Sequence, residues 1–177
     1  RPMIDYTDLQ SGRHELAGNV SSQFVTGLLF ALPLLHGDSE IVFTSPLESR
    51  GYVDMTLDVV RAYGIRIDET ADGFFIPGDQ RFVAPKRIAP EGDWSGAAFW
   101  FAANALGANV RITNLSESSR QPDRAIAGFV PRATDCDLAE NEALDSTNQA
   151  LDTIDISAFP DLYPALAVIA AASQGTT

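Results

Sequence analysis

Three long apolar stretches punctuate the chain, and each follows a short polar residue that suits a helix start. In residues 20–35, Val25, Leu28, Leu29, Phe30, Leu32 and Leu34 leave little polar surface, which predicts a buried helix. Pro33 and then Gly37 stop it. Asn19 stands at its start, where a side-chain oxygen caps the first free N–H groups. Ser21 and Ser22 fall among those unpaired donors. Two hydroxyls on a positive helix end suit plain capping or, alternatively, a seat for a phosphate. A short strand is expected at residues 13–17, and Ser39-Glu40-Ile41-Val42-Phe43 reads as another.

Val53, Leu57 and Val60, with Thr56 and Tyr63 beside them, mark one face of a second helix over residues 52–63, closed by Gly64. Residues 65–68 and 74–76 predict two strands joined by a turn around Ala71, Asp72 and Gly73. A second polar start, Glu91-Gly92-Asp93-Trp94-Ser95-Gly96, opens a helix over residues 94–106 that Gly107 ends. Residues 109–113 alternate as a strand, and Gln121-Pro122-Asp123-Arg124 opens a weaker helix reaching Val130. Residues 131–150 are acidic and carry no clear period. Residues 151–156 predict a strand, Phe159-Pro160-Asp161 a third opening, and residues 162–173 a helix stopped by Gly175.

A unit of polar cap, buried helix, glycine stop and strand therefore recurs. The interval from Asp93 to Gly107 equals that from Asp161 to Gly175, and Asn19 to Gly37 is one turn longer. Right-handed crossovers would set these helices parallel with their N-termini on one side. Residues 19–23, Asp93 to Ser95 and Asp161 would then face one cleft. Ordinary α/β proteins show similar units, so the recurrence by itself fixes only the α/β class.

Composition narrows the chemistry. The 177 residues allow one or two small domains, and 45% hydrophobic with 20% charged residues is a globular balance. A net charge of −12 with only 12 Lys and Arg provides no basic stripe, which argues against nucleic acid and anionic membranes as partners. Apolar runs are broken well short of a membrane span. Cys136, the single cysteine, excludes an intrachain disulfide and fits a reducing, cytoplasmic setting. Asp135 and Asp137 beside it disfavour a thiolate. Two histidines and one cysteine make no zinc cluster, so no metal or cofactor is expected. Glycine-rich dinucleotide and P-loop motifs and the serine elbow are absent. His14 and His36 read as surface residues, Trp94 and Trp100 as core. Asp161 suits a helix cap, and a role as base needs a substrate hydroxyl within reach. Arg1-Pro2-Met3-Ile4-Asp5 is no signal peptide, and both ends look cut, as in an internal piece of a longer protein.

Four motifs occur in order: Gly18-Asn19-Val20-Ser21-Ser22-Gln23-Phe24, Ser49-Arg50-Gly51-Tyr52-Val53-Asp54-Met55-Thr56-Leu57, Glu91-Gly92-Asp93-Trp94-Ser95 and Pro160-Asp161. Together they resemble the EPSP synthase family, the 3-phosphoshikimate 1-carboxyvinyltransferases, over residues 18–177. The resemblance implies an α/β (α+β) fold of two lobes, an inside-out α/β barrel built from βαβαββ units. Residues 1–88 would be the last unit of the first lobe. Residues 89–177 would be the first unit of the second lobe and the start of the next, with the join near residues 87–91.

The resemblance also implies a transferase of the shikimate pathway. The 5-hydroxyl of shikimate 3-phosphate attacks phosphoenolpyruvate, and phosphate leaves through a tetrahedral intermediate. On that basis Ser21, Ser22 and Ser49 bind the 3-phosphate, and Tyr52 lines the shikimate pocket. Gln23 contacts both shikimate 3-phosphate and phosphoenolpyruvate. Asp161 accepts the hydroxyl proton and orients the ring hydroxyls. The two small molecules are the expected partners, and the full-length enzyme is expected to be a cytoplasmic monomer. Arg50 stands where the family often has Lys, and Gly51 where it often has Pro, which changes reach and stiffness. The family's Lys-Ser-x-x-x-Arg motif, its early Gly-rich loop and its late Arg and Lys residues are absent. The piece alone is therefore expected to be inactive. Two rivals stand beside this assignment: the sister UDP-N-acetylglucosamine enolpyruvyl transferases, and a non-catalytic binding or assembly module.

Overall fold

The computed structural model describes residues 9–130 and 153–172. The chain divides into two compact units, Arg1–Arg87 and Ile88–Thr177.

In the first unit the elements follow as strand β1 (Arg13–Leu16), helix α1 (Ser22–Ala31), strand β2 (Ser39–Phe43), helix α2 (Arg50–Ala62) and strands β3 (Asp68–Glu69) and β4 (Gly73–Ile76). The sheet order is β1-β2-β4-β3. β1 runs parallel to β2, with Arg13 opposite Glu40 and Leu16 opposite Phe43. β4 returns antiparallel to β2, and β3 pairs antiparallel on its outer edge. This is a mixed sheet with helical crossovers, the α/β arrangement that the apolar pattern predicts.

Both helices cover the sheet with one apolar face. Val25, Leu29 and Leu32 from the first helical segment meet Val53, Leu57 and Val60 from α2, over Ile41, Phe74 and Ile76 of the sheet. The Val53, Leu57, Val60 spacing is that of one helix face, and all three are buried. Pro33 converts the end of α1 into a 3₁₀ turn, Leu32–Leu34. Gly64, at φ +83°, takes the left-handed turn that ends α2.

The strand expected over residues 65–68 begins only at Asp68, as β3. Residues 65–67 alternate, with Ile65 and Ile67 buried, yet they join no ladder. The Gln80 side chain binds the Arg66 backbone on both sides, accepting from its N–H at 2.7 Å and donating to its C=O at 2.9 Å. A side-chain amide thus replaces a neighbouring strand.

The second unit is helical among the described residues. Helix α3 (Trp94–Ala105) packs against helix α5 (Tyr163–Ala172), and the 3₁₀ turn Pro122–Ala125 leads into the single-turn helix α4 (Ile126–Phe129). Ala97, Ala98, Phe101 and Ala102 make a shallow face that admits Ile126, Leu162, Ala165 and Leu166. Trp94 stacks on Phe101, with ring centroids 6.0 Å apart.

Three expectations are corrected here. Residues 109–113 form no strand, because the Asn104 side chain takes up the Val110 N–H and C=O, each at 2.8 Å. Trp100, expected in the core, is 54% exposed, about a third of a turn around α3 from buried Trp94. The strand expected over residues 151–156 is also corrected, since its described part, residues 153–156, is irregular. The expectations for residues 131–152, Cys136 and Gly175 lie outside the described residues.

Candidate functional site

β1 and β2 are parallel, so their carboxyl ends lie side by side, and each feeds directly into a helix. The starts of α1 and α2 consequently sit at the same edge of the sheet. In open α/β sheets that edge is where ligands bind.

The two connecting loops are fastened together. Thr44 donates its N–H to Leu16 O at 2.8 Å, and Glu48 donates to Gly18 O at 3.0 Å. The Ser45 hydroxyl donates to Asn19 Oδ1 at 3.2 Å. Gly18 is buried against the second loop, leaving no room for a side chain. Ser21, Ser22, Gln23, Ser49 and Tyr52 are thereby gathered at one end of one unit.

The cap on α1 is Ser21 rather than Asn19. Ser21 has extended backbone angles, φ −165° and ψ 129°, and its Oγ accepts from the Gln23 N–H at 3.2 Å. Asn19 is drawn away by its bond to Ser45. Ser21 and Ser22 are half-buried, whereas Gln23 is exposed. Ser49 precedes α2 in the left-handed region, φ 52° and ψ 36°, and its side chain does not cap the helix. Tyr52 is half-buried in the first turn of α2.

Although the chain is strongly acidic, the first turns of α1 and α2 hold no acidic residue. The partial positive charge of these helix starts thus favours anionic chemistry. Arg50 adds little free charge to that end. Its guanidinium donates to Asp54 at 2.7 Å and Glu69 at 2.6 Å, and lies 5.5 Å from the Phe74 ring centroid. The bond to Asp54, then that to Glu69, raises the Arg50 pKa above its ordinary value. Glu69, bound first by Arg50 and then by Arg61, is held below its own.

The remaining expected residues lie in the second unit. Asp93 caps α3, its Oδ1 accepting from the Ser95 N–H at 3.0 Å. Asp161 does not cap α5: it lies within the 3₁₀ turn Pro160–Leu162, exposed, and that turn has no side-chain cap. Phe159 holds the cap position of that turn and Pro160 its first residue, so Asp161 stands one residue inside. An exposed carboxylate at that point is open to solvent and to ligand.

Sequence reasoning underrated Gln121 and Asp123, reading them only as a helix opening. Gln121 Oε1 accepts from the Trp94 N–H at 2.8 Å, and its Nε2 donates to Gly92 O at 2.9 Å. Buried Asp123 accepts from the Ser95 hydroxyl. These two side chains fix the start of α3. The signal available was a polar pair, Gln121 and Asp123, flanking a proline. Among the described residues no group of His, Cys, Asp and Glu could hold a metal ion, and no helix is long and apolar enough to cross a membrane.

Residues 2–177 match the model of the family described as EPSP synthase (3-phosphoshikimate 1-carboxyvinyltransferase). The chain belongs to the EPSP synthase family. It is 42% identical over 170 residues to the 3-phosphoshikimate 1-carboxyvinyltransferase of Clostridium acetobutylicum, covering 96% of this chain and 40% of that protein. With the same-named protein of Clostridium kluyveri it shares 42% over 180 residues, covering 99% and 42% respectively. An archaeal relative of that name, from Methanocaldococcus jannaschii, is 37% identical over 167 residues, covering 92% and 39%. The chain spans about two-fifths of the length of these curated relatives. Membership in the EPSP synthase family makes it part of an enolpyruvyl transferase family, in keeping with the α/β fold and the anion-suited helix starts.

Proposed function

We propose that these residues belong to an enzyme that transfers the enolpyruvyl group of phosphoenolpyruvate to the 5-hydroxyl of shikimate 3-phosphate, releasing phosphate. The observation that carries this reading is the gathering of Ser21, Ser22, Ser49 and Tyr52 at two adjoining, acid-free helix starts. Such a site suits a phosphate ester, whose oxygens accept from hydroxyls and backbone N–H groups. The names of the relatives favour shikimate 3-phosphate over the UDP-sugar of the sister family.

In this reading Ser21, Ser22 and Ser49 hold the 3-phosphate, Tyr52 flanks the ring, and exposed Gln23 reaches both substrates. Asp161 takes the proton of the 5-hydroxyl as its oxygen bonds to C2 of phosphoenolpyruvate. Addition across the enol double bond also places a proton on C3 and gives a tetrahedral intermediate; loss of a C3 proton with expulsion of phosphate from C2 restores the double bond. The first unit serves as the last βαβαββ unit of one lobe and the second as the beginning of the other. The complete enzyme acts as a cytoplasmic monomer, and this piece alone has no turnover.

Calorimetric titration of the chain with shikimate 3-phosphate tests the site. Binding is expected, weakened roughly tenfold by Ser21→Ala, as for loss of one hydrogen bond to a charged group. Circular dichroism checks that the variant is folded. Absence of binding, or equal affinity in the folded variant, refutes the reading. Product formed by the chain alone overturns the claim of inactivity.

A further inference from the structure

Val25, Leu29, Val53, Leu57 and Val60 line the core between α1 and α2. Thr26 and Thr56 meet there, with their hydroxyl oxygens 3.0 Å apart. Thr56 is 8% exposed and lies between buried Val53, Leu57 and Val60. Its hydroxyl donates to the Tyr52 carbonyl one turn back, at 3.1 Å. A carbonyl only accepts, so the Thr56 proton is committed to Tyr52, and Thr26 donates to Thr56. A chain of two hydrogen bonds thus runs from α1, through Thr56, into the first turn of α2.

Aliphatic contacts are non-directional and let neighbouring helices slide or rotate by small amounts at little cost. A buried hydroxyl pair is directional, and breaking it strands a polar group. Thr26 follows Ser22 by four residues, and Thr56 follows Tyr52 by four, so each threonine shares a helix face with the residue one turn nearer the mouth. The face that carries the link therefore also carries Ser22 and Tyr52, both half-buried.

We propose that Thr26 and Thr56 are positioning residues that set the spacing between Ser22 on α1 and Tyr52 on α2, and with it the affinity for shikimate 3-phosphate. This inference rests on the function proposed above. Neither threonine touches the ligand; both act through the helix starts.

Calorimetric titration of the 177-residue chain with shikimate 3-phosphate, well below its unfolding temperature, decides the matter. Thr26→Val keeps the shape, the apolar contacts and the Thr56–Tyr52 bond, and removes only the link between helices. It is expected to weaken binding about fivefold, the equivalent of ~1 kcal/mol. Thr26→Ser, which keeps the hydroxyl, is expected to restore affinity. Thr56→Val should weaken binding at least as much, and adding Thr26→Val to it should cost nothing more, as coupled sites require. Should Thr56→Val fail to fold, the Thr26 pair of variants decides alone. Unchanged affinity in Thr26→Val, with lowered thermal stability, means a purely structural link and overturns this inference while leaving the proposed function intact. No binding by the unaltered chain overturns both.

Discussion

Gly18→Ala tests how the two loops of the candidate site are joined. A Cβ at that position would stand 2.6 Å from Ser45 O, 2.7 Å from Pro46 O and 2.9 Å from Leu47 Cα. All three are main-chain atoms, so no rotamer change relieves the clash, and the loops must part by several tenths of an ångström. Overpacking of this kind costs about 1–3 kcal/mol. Parting also strains the Glu48 N–H to Gly18 O bond, worth ~1 kcal/mol. Against this, alanine restricts the unfolded chain and returns about 0.4–1 kcal/mol. The clash wins, with a net loss of about 1–3.5 kcal/mol. Urea unfolding followed by circular dichroism should show a midpoint about 0.5–1.8 M lower at a slope of ~2 kcal/mol per molar. Gly27→Ala on α1 is the control, since nothing lies within 4 Å of its Cβ position. It should raise stability by about 0.5–1 kcal/mol. A Gly18→Ala midpoint at or above that of the parent would refute the close-packed loop.

Glu69→Gln should alter the acid limb of stability. The lowered carboxyl stabilises the fold fully above its ordinary value of 4.5, and that contribution is lost as pH falls through the lowered value. Urea midpoints measured from pH 7 down to about pH 3 should therefore fall more steeply for the parent than for Glu69→Gln. The ion pairs are nearly half exposed, so the difference should be small and shrink in about 1 M salt. Gln121→Ala should strand the Trp94 N–H and the Gly92 C=O, at about 1–3 kcal/mol for each group that stays dry. Thermal unfolding and hydrogen exchange at the Trp94 amide measure this, and exchange as slow as in the parent would contradict it.

The first unit was largely legible because its helices bury one face each. Val53, Leu57 and Val60 recur at helical spacing, and Gly37 and Gly64, both at positive φ, mark the stops that the sequence implies. Misreadings arose where side chains act as backbone partners. Gln80 and Asn104 occupy the edges of segments that alternate like strands, and alternation is blind to a distant amide. The cap moved from Asn19 to Ser21 because Ser45, far along the chain, competes for Asn19. Asp161 looked like a cap because Pro-Asp usually opens an α-helix, whereas here it opens a 3₁₀ turn. The residue types of the candidate site were readable from motifs. The loop fastening that brings Ser21 and Ser49 to one edge depends on long-range contacts and was not.

Ser49 carries one more consequence. A non-glycine residue at φ 52° bears a steric cost of about 1–2 kcal/mol that glycine would not. A campaign to thermostabilise this protein would meet Ser49→Gly as a change that relieves this backbone cost. Selection for activity would reject the same change if the hydroxyl holds a phosphate. Libraries scored first on heat resistance and then on turnover should therefore part company at this position, which makes Ser49 a place where evolvability is spent on function.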